Sequence, residues 1–578
     1  MSCVCVQCLA KLRKSSLEAV DNTESFDSFK KYMHITRDIE GQLKKVLKDV
    51  NKELSKCLVM LGGSTGDGKS HLISYLKNSD EDNLLEGYET YNDSTESDEP
   101  SLEFLEALAK QLEEFNDSNL ENGHSIKMII AINLGIIGKL FDSEQGKMFT
   151  KLKQYVEENH VLSDYSEEIG YKAGSIFQHV SFADYQIFSL SSEGICTDYL
   201  EKLFDKVFCE DEDKNEFFYS HKNCSCALIN RCPVYHNYEL LQNKEIQKYV
   251  INRIVQVIIE DKAIMSTRDV LNLIYDILVG RTFSEKKLKE DMASDVDYLK
   301  DYISWTTPML LNEYDDVSDK LRLLKNHDVF CYRTEEIDNN STRFHSMEDI
   351  GDEFKNCTEG TPYRILIDTT PISTFGGIKP DLKNQVYRFI VRLRNMNAIS
   401  DLAFNERFIE YIKNIYYQNS GDERKLARFY DMTKNAILFW DGHFDDDYLC
   451  IDDTNDKYWI LEQLFIESAG INYPQKEGDN LQRFPLELKV RFESQLMPNI
   501  QPVETSIDYS LFELICDMED GYKPSIRDKN LHTDFVSYIN RLSELGNKGK
   551  RVIIQSKSGD EKKFSFEKNT VGYRFKVI

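Results

Sequence analysis

At 578 residues, with 41% hydrophobic and 29% charged residues, the chain has the composition of a globular protein and length for about three or four domains. Its formal net charge of −28, from 71 basic against 99 acidic residues, excludes nucleic-acid binding over a broad surface and confines any such contact to local basic patches or a partner subunit. There is no run of 18 apolar residues, and Met1–Leu12 lacks the extended apolar stretch of a signal peptide, so the reading is of no membrane association.

The chain opens on Cys3, Cys5 and Cys8 in CVCVQC, a reduced tail or a contributor to a metal site. Ile39, Leu43, Val46 and Leu47 then recur at the 3–4 spacing of an amphipathic helix that leads into the first strand. His34 and Arg37 before it are candidates for contact with a nucleotide, or for packing.

The stretch Cys57–Leu76, CLVMLGGSTGDGKSHLISYL, organises the rest of the chain. An apolar run predicts a buried strand. Gly63-Ser64-Thr65-Gly66-Asp67-Gly68-Lys69-Ser70 then fits G-x-x-x-x-G-K-[ST], and Leu72, Ile73 and Leu76 share one face of a helix. In such a loop backbone N–H groups point at phosphate oxygens, the lysine reaches the β- and γ-phosphates, and the hydroxyl of Ser70 serves Mg²⁺. ATP and Mg²⁺ are therefore the expected ligands, and the cytoplasm the expected compartment.

Downstream, Tyr88–Ser97 predicts a short strand running into Asp93 and Glu96, candidates for holding Mg²⁺ (Asp93) and orienting the attacking water, set against an exposed acidic loop. The preceding run is more polar than a buried strand of this kind usually is. Pro100–Phe115 reads as a helix. Ile126–Leu134 (IKMIIAINL) reads as a strand covered on both faces, ending in Asn133, either a sensor of the γ-phosphate or a turn residue. Ile176–Leu190 adds a further strand or pair.

Cys209, Cys224, Cys226 and Cys232 are candidate ligands of a structural zinc ion, set against free thiols. Helical periodicity runs from Tyr238 to Val279, with Ser266 or Thr267 as a cap and Val270, Leu273, Ile274 and Ile277 as the inner face. Arg268 in its first turn either reaches the γ-phosphate from a helical lid or is a solvated charge. Residues 280–360 read as mixed and polar, with EEIDNNSTRFHS as a loop. Tyr363–Ile367 reads as a strand ending in Asp368, and Asn384–Asn395 as an amphipathic helix. Its Arg388, Arg392 and Arg394, with Lys425 and Arg428, form the best local basic patch, either for a DNA or protein contact or, the safer reading, as solvated helix faces. Helices near 401–417, 508–516 and 532–545 and a terminal strand group after Arg551 complete the chain, and no nuclease constellation stands out.

The ordered set KSSLEAVDN, YMHITRDIE, GDGKSHLISYL, YNDSTES, AINLG, CPVYHNYELL, STRDVLNLIYDIL, IDYSLFELI and GYKPSIRDKN resembles the DptF (DndF) family of DNA phosphorothioation-dependent restriction proteins, over nearly the whole chain. The resemblance implies a bacterial anti-phage defence ATPase that works with the family's G and H components on DNA lacking phosphorothioate. It carries over Gly63, Gly66, Gly68, Lys69 and Ser70; Asp93, Glu96, Asn133 and Arg268 sit where ATPase roles are expected, although the acidic motif departs from a standard Walker B.

The expected architecture is an α/β P-loop NTPase, AAA+-like, with a parallel sheet and helical lid or insertion, followed by a mixed α+β C-terminal region. Its expected segments are 1–50 (N-terminal helical), 51–200 (ATPase core), 201–290 (cysteine-bearing insertion and lid), 291–440 (mixed) and 441–578 (α+β). The competing readings are a nucleotide-gated scaffold without hydrolysis and a remodelling ATPase independent of DNA.

Overall fold

The computed structural model describes residues 3–13, 28–79, 82–92, 102–120, 125–162, 170–312, 322–331, 334–370, 374–397, 404–442, 448–452, 457–470, 480–495, 500–545, 551–557 and 563–578. The chain divides into two compact units, Met1–Phe188 with Thr197–Ala403, and Ser189–Cys196 with Phe404–Ile578. The first takes in the N-terminal segment, the glycine-rich loop, the cysteine-bearing segment and the helices beyond them.

In the first unit the short helix α1 (Val4–Leu9) precedes α2 (Asp38–Glu53), which leads into strand β1 (Cys57–Gly62). Then come α3 (Lys69–Ser79), β2 (Tyr88–Asn92), α4 (Leu102–Gln111), β3 (Lys127–Ile132), α5 (Leu134–Asp142), α6 (Thr150–Glu158) and β4 (Phe177–Ser181). The four strands form one sheet in the order β2-β3-β1-β4, and every pairing is parallel. A parallel sheet must be covered on both faces, and the side chains of β1 show this directly. Cys57, Val59 and Leu61 pack with Leu43, Leu47 and Val50 of α2 and Leu72 and Leu76 of α3. Leu58 and Met60, pointing the other way, pack with Leu108 of α4, Ile136 and Leu140 of α5 and Leu152 of α6. All six residues of β1 are buried, so the loop after it leaves the middle of a three-layer α/β/α stack.

The rest of this unit is helical: α7 (Asp198–Phe208), α8 (Glu216–Lys222), α9 (Pro233–Leu241), α10 (Lys244–Glu260) and α11 (Thr267–Val279), and farther on α12 (Glu335–Ser346), α13 (Ile365–Thr369) and α14 (Pro380–Asn397). Two expectations are corrected here. EEIDNNSTRFHS, read as a loop, is α12, whose N-cap Thr334 accepts the Ile337 N–H. YRILI, read as a strand, is helical: Pro362 opens a 3₁₀ turn that continues into α13. A five-residue apolar run has no periodicity that separates a strand from a buried helical turn. Asp368 is accordingly an exposed residue of a helix and not the terminus of a strand.

The second unit is α+β. The hairpin β5 (Ser189–Ser191) and β6 (Gly194–Cys196) belongs to it, with Leu190 bridging to Leu481. Helices α15 (Glu406–Ser420) and α16 (Ala427–Phe439) precede strands β7 (Tyr448–Asp452), β8 (Tyr458–Gln463), β9 (Ile466–Ser468), β10 (Leu488–Ser494) and β11 (Val503–Ile507). After α17 (Tyr509–Glu519) and α18 (Thr533–Leu545) the chain closes with β12 (Arg551–Ser556), β13 (Lys563–Asn569) and β14 (Gly572–Val577). The sheets run β11-β10-β9 and β14-β13-β12-β8-β7. No helix among the described residues is long and apolar enough to cross a membrane.

Candidate functional site

The loop from Gly63 to Gly68 joins β1 to α3, and its shape is held from within. Asp67 Oδ2 accepts the Ser64 N–H at 2.6 Å, and Lys69 Nζ donates to the carbonyl oxygens of Gly63 (2.8 Å) and Ser64 (2.7 Å). Lys69 is buried, so its ammonium is folded back over the loop it springs from. Ser64, Thr65, Gly66, Asp67 and Gly68 are half-buried, leaving the loop accessible from one side.

Gly66 is the tightest point. Its φ of +90° is a conformation that L side chains rarely adopt, and a Cβ there would lie 2.7 Å from Arg268 Cβ and 2.8 Å from Ser266 Oγ. The reason is the approach of α11, whose Arg268 N–H donates to the Gly66 carbonyl at 3.3 Å. Ser266 caps that helix in a reciprocal capping box with Asp269. Arg268, expected from the sequence as a candidate for reaching a phosphate, thus begins its side chain against the loop, and the N-terminal ends of α3 and α11 meet there. Gly66→Ala should push these two elements apart and impose strain of about 1–3 kcal/mol locally. The expected result is weakened nucleotide binding with the melting temperature of the chain nearly unchanged; equal affinity in the variant would show that the contact is dispensable.

The first turn of α3 carries a second junction. Ser70 Oγ donates to Asn92 Oδ1 at 2.6 Å. Asn92 is the last residue of β2, and Asp93 and Glu96, the acidic candidates of that stretch, lie outside the described residues. As a neutral amide, Asn92 carries none of the sequence signal that a Mg²⁺-binding carboxylate gives. The signal that could have found it is its position at the carboxyl edge of a parallel strand, where ligands of open α/β sheets gather.

Asn133 directly follows β3 and caps α5, its Oδ1 accepting the Gly135 N–H at 3.0 Å. Gly62 pairs with Ile132, so Asn133 lies one residue beyond the end of the strand beside β1. A Cβ on Gly62 would come within 2.5 Å of Leu134 Cδ2, which shows how closely the start of α5 abuts the loop entrance. The cap uses the amide oxygen; contact with an anion would use the amide N–H₂.

His34 and Arg37 form a packed collar behind the loop. His34 Nδ1 lies 3.1 Å from His71 Nε2, its Nε2 lies 3.2 Å from Glu40 Oε2, and its ring stacks on Tyr75 at 3.6 Å. Burial holds the His71 imidazole down at about 4, with His34 acting in the same direction, so His71 is neutral near pH 7. Arg37 donates to the Tyr185 carbonyl (3.3 Å) and lies over the rings of Phe182 and Tyr199. His34 also lines, with Tyr32, Thr36, Lys202, Asp205, Lys206, Asp211 and Lys214 among others, a pocket of about 480 Å³ of mixed charge.

The cysteine candidates do not come together as a set of four. Cys209 Sγ lies 3.6 Å from Tyr32 Oη and from Asn215 Nδ2, and Cys226 Sγ accepts the Leu228 N–H at 3.5 Å. Among the described residues no group of three His, Cys, Asp or Glu side chains is arranged to hold a metal ion.

The expected basic patch is spoken for by carboxylates. Arg392 is buried and grips Asp328 with two bonds, Nε–Oδ1 at 3.3 Å and Nη2–Oδ2 at 2.6 Å. Arg388 lies 4.0 Å from the same carboxylate, and Arg394 pairs with Glu353 at 2.5 Å. Lys425 pairs with Asp422, and Arg428 with Glu410 and Glu519. The first three residues belong to one unit and the last two to the other, so the patch read from the sequence is two sets of ion pairs.

No family model, curated protein or solved structure matches the chain.

Proposed function

We propose that this chain is an ATP-binding subunit that hydrolyses ATP with Mg²⁺, in a bacterial complex that restricts DNA lacking phosphorothioate together with partner subunits. The nucleotide reading rests above all on the junction at Gly66, where a phosphate-cradle loop, the N-terminus of α3 and Arg268 at the N-terminus of α11 converge. In this reading Lys69 exchanges the Gly63 and Ser64 carbonyls for phosphate oxygens, the loop N–H groups receive the remainder of the anion, and Arg268 faces its distal end. Bound Mg²⁺ would neutralise charge on the phosphates, with the Ser70 hydroxyl, beside the Asn92 amide oxygen, as a candidate ligand. The restriction reading is supported by the family resemblance of the sequence alone. It is tested by ATP turnover of the purified chain with and without duplex DNA; turnover indifferent to DNA, both alone and with the partner subunits added, would favour a DNA-independent remodelling role.

One observation favours a second reading. Among the described residues, which do not include Asp93 and Glu96, the group facing Ser70 is the amide of Asn92, and a neutral ligand binds Mg²⁺ more weakly than a carboxylate. A nucleotide-gated scaffold would use binding alone to change shape. Equilibrium ATP binding measured beside turnover separates the two: binding with no turnover, even with DNA and partners present, selects the scaffold.

A further inference from the structure

Among the described residues, the five-stranded sheet of the second unit ends on a strand with a neighbour on one side only. β14 pairs antiparallel with β13, Phe566 opposite Phe575 and Glu567 opposite Arg574, and stands last in the order β14-β13-β12-β8-β7. All six of its residues are exposed. The Ile578 N–H donates to the Lys563 carbonyl at 2.9 Å, which fixes the phase of the ladder. Every second residue back from Ile578, namely Lys576, Arg574 and Gly572, therefore turns its backbone N–H and C=O toward β13, while Tyr573, Phe575 and Val577 turn theirs outward. Such an outward row is a template for a further strand.

The two faces of this edge differ in chemistry. Residues opposite one another in a ladder share a face, as do alternate residues along a strand. Tyr573 (67% exposed), Phe575 (58%) and Val577 (67%) stand on the face of Phe564 and Phe566. Rings stack across the pair there, Phe566 on Tyr573 at 5.2 Å and Phe564 on Phe575 at 5.3 Å. Arg574 and Lys576 stand on the other face, in line with Ser565, Ile553, Leu461 and Cys450, the last three of which form a small core. The carboxylate across from Arg574, that of Glu567, pairs with Arg551 at 3.3 Å.

We propose that β14 is a docking edge for an extended segment of a partner protein in which apolar residues alternate with Asp or Glu, added to the sheet as a further strand. Its apolar side chains extend the row Tyr573, Phe575, Val577; its carboxylates meet Arg574 and Lys576; its backbone pairs with the outward N–H and C=O groups. A second copy of this chain fits badly. In the antiparallel registers of two β14 strands that overlap best and keep the apolar rows together, Arg574 faces Lys576 or its own counterpart, and like charges directly opposite repel. A single-stranded nucleic acid fits no better. Bases stacked on the aromatic face would hold their phosphates away from cations on the opposite face, and the outward carbonyls would repel them. Nothing in this docking requires a bound nucleotide.

The probe is a short fluorescein-labelled peptide alternating valine with glutamate, titrated against the full chain beside one alternating valine with lysine and a single-stranded oligonucleotide. The glutamate peptide is expected to bind saturably, about tenfold more tightly than the lysine peptide, although a chain of net charge −28 attracts the latter at long range. Arg574→Glu/Lys576→Glu should reverse the preference. Phe575→Pro should abolish binding and leave the fold intact, because that N–H faces outward and makes no bond to β13. Circular dichroism confirms that each variant is folded, and if the proline variant is not, the charge reversal decides alone. Wild-type protein that binds neither peptide, or prefers lysine, overturns the proposal, as does a glutamate preference that survives in either folded variant. Oligonucleotide binding lost on charge reversal would make the edge a nucleic-acid surface, and dimerisation lost in Phe575→Pro would seat a second copy there; either result overturns the partner strand.

Discussion

Lys69→Ala is expected to abolish measurable ATP turnover, a loss of at least about a hundredfold, while the fold survives. The size reflects the role the lysine would play: a buried, preorganised cation aimed at developing phosphate charge is worth on the order of 10²–10³ in rate. Survival of the fold reflects where it sits. Its Nζ bonds two carbonyls of its own loop, Gly63 and Ser64, and neither belongs to the core on either side of β1. Each carbonyl left dry costs about 1–3 kcal/mol; Ser64 is half-buried, within reach of water, so the loss falls mainly on the buried Gly63 carbonyl. Wild-type and variant protein are compared by ATP affinity, steady-state turnover and thermal unfolding under the same conditions. Unchanged affinity and turnover in the variant would remove the nucleotide assignment. A collapse of the melting transition would show instead that the lysine is a structural strut.

How much of this site could be read in advance depended on how local its determinants are. The strand, loop and helix around Lys69 were legible because each is written in consecutive residues: an apolar run, glycines at the turns, and apolar positions on one helical face. The cap at Ser266 and the buried face Val270, Leu273, Ile274 and Ile277 were legible for the same reason. Asn133 at a strand end could be placed because a continuous apolar run marks a strand buried on both sides. Juxtaposition was not legible. Nothing in the sequence says that Arg268 lies against Gly66 or that Ser70 meets Asn92, since such contacts depend on the packing of whole elements. Charge was the most misleading signal. Arginines on an amphipathic helix look alike whether they face solvent or a carboxylate from another segment, and only the fold reveals that Asp328 stands opposite Arg392.

That pair carries the largest stability effect expected in the chain. The Arg392 side chain is 1% exposed and that of Asp328 5%; the guanidinium also lies 3.1 Å from Met309 Sδ and over the Phe330 ring. Water cannot readily replace the carboxylate, so Asp328→Ala takes two hydrogen bonds from a buried cation and should destabilise the first unit by about 3–5 kcal/mol. Arg428→Ala, which breaks pairs to Glu410 and Glu519 where the arginine side chain is 68% exposed, should cost no more than about 1 kcal/mol. The double replacement Asp328→Leu/Arg392→Met removes both charges together and should recover most of the loss, because the desolvation cost disappears with the attraction. Denaturant unfolding, followed by probes in the first unit, compares the variants. An Asp328→Ala protein within about 1 kcal/mol of wild type would mean that Arg392 finds another partner or reaches solvent, which would reopen that helix face as a surface for contacting DNA.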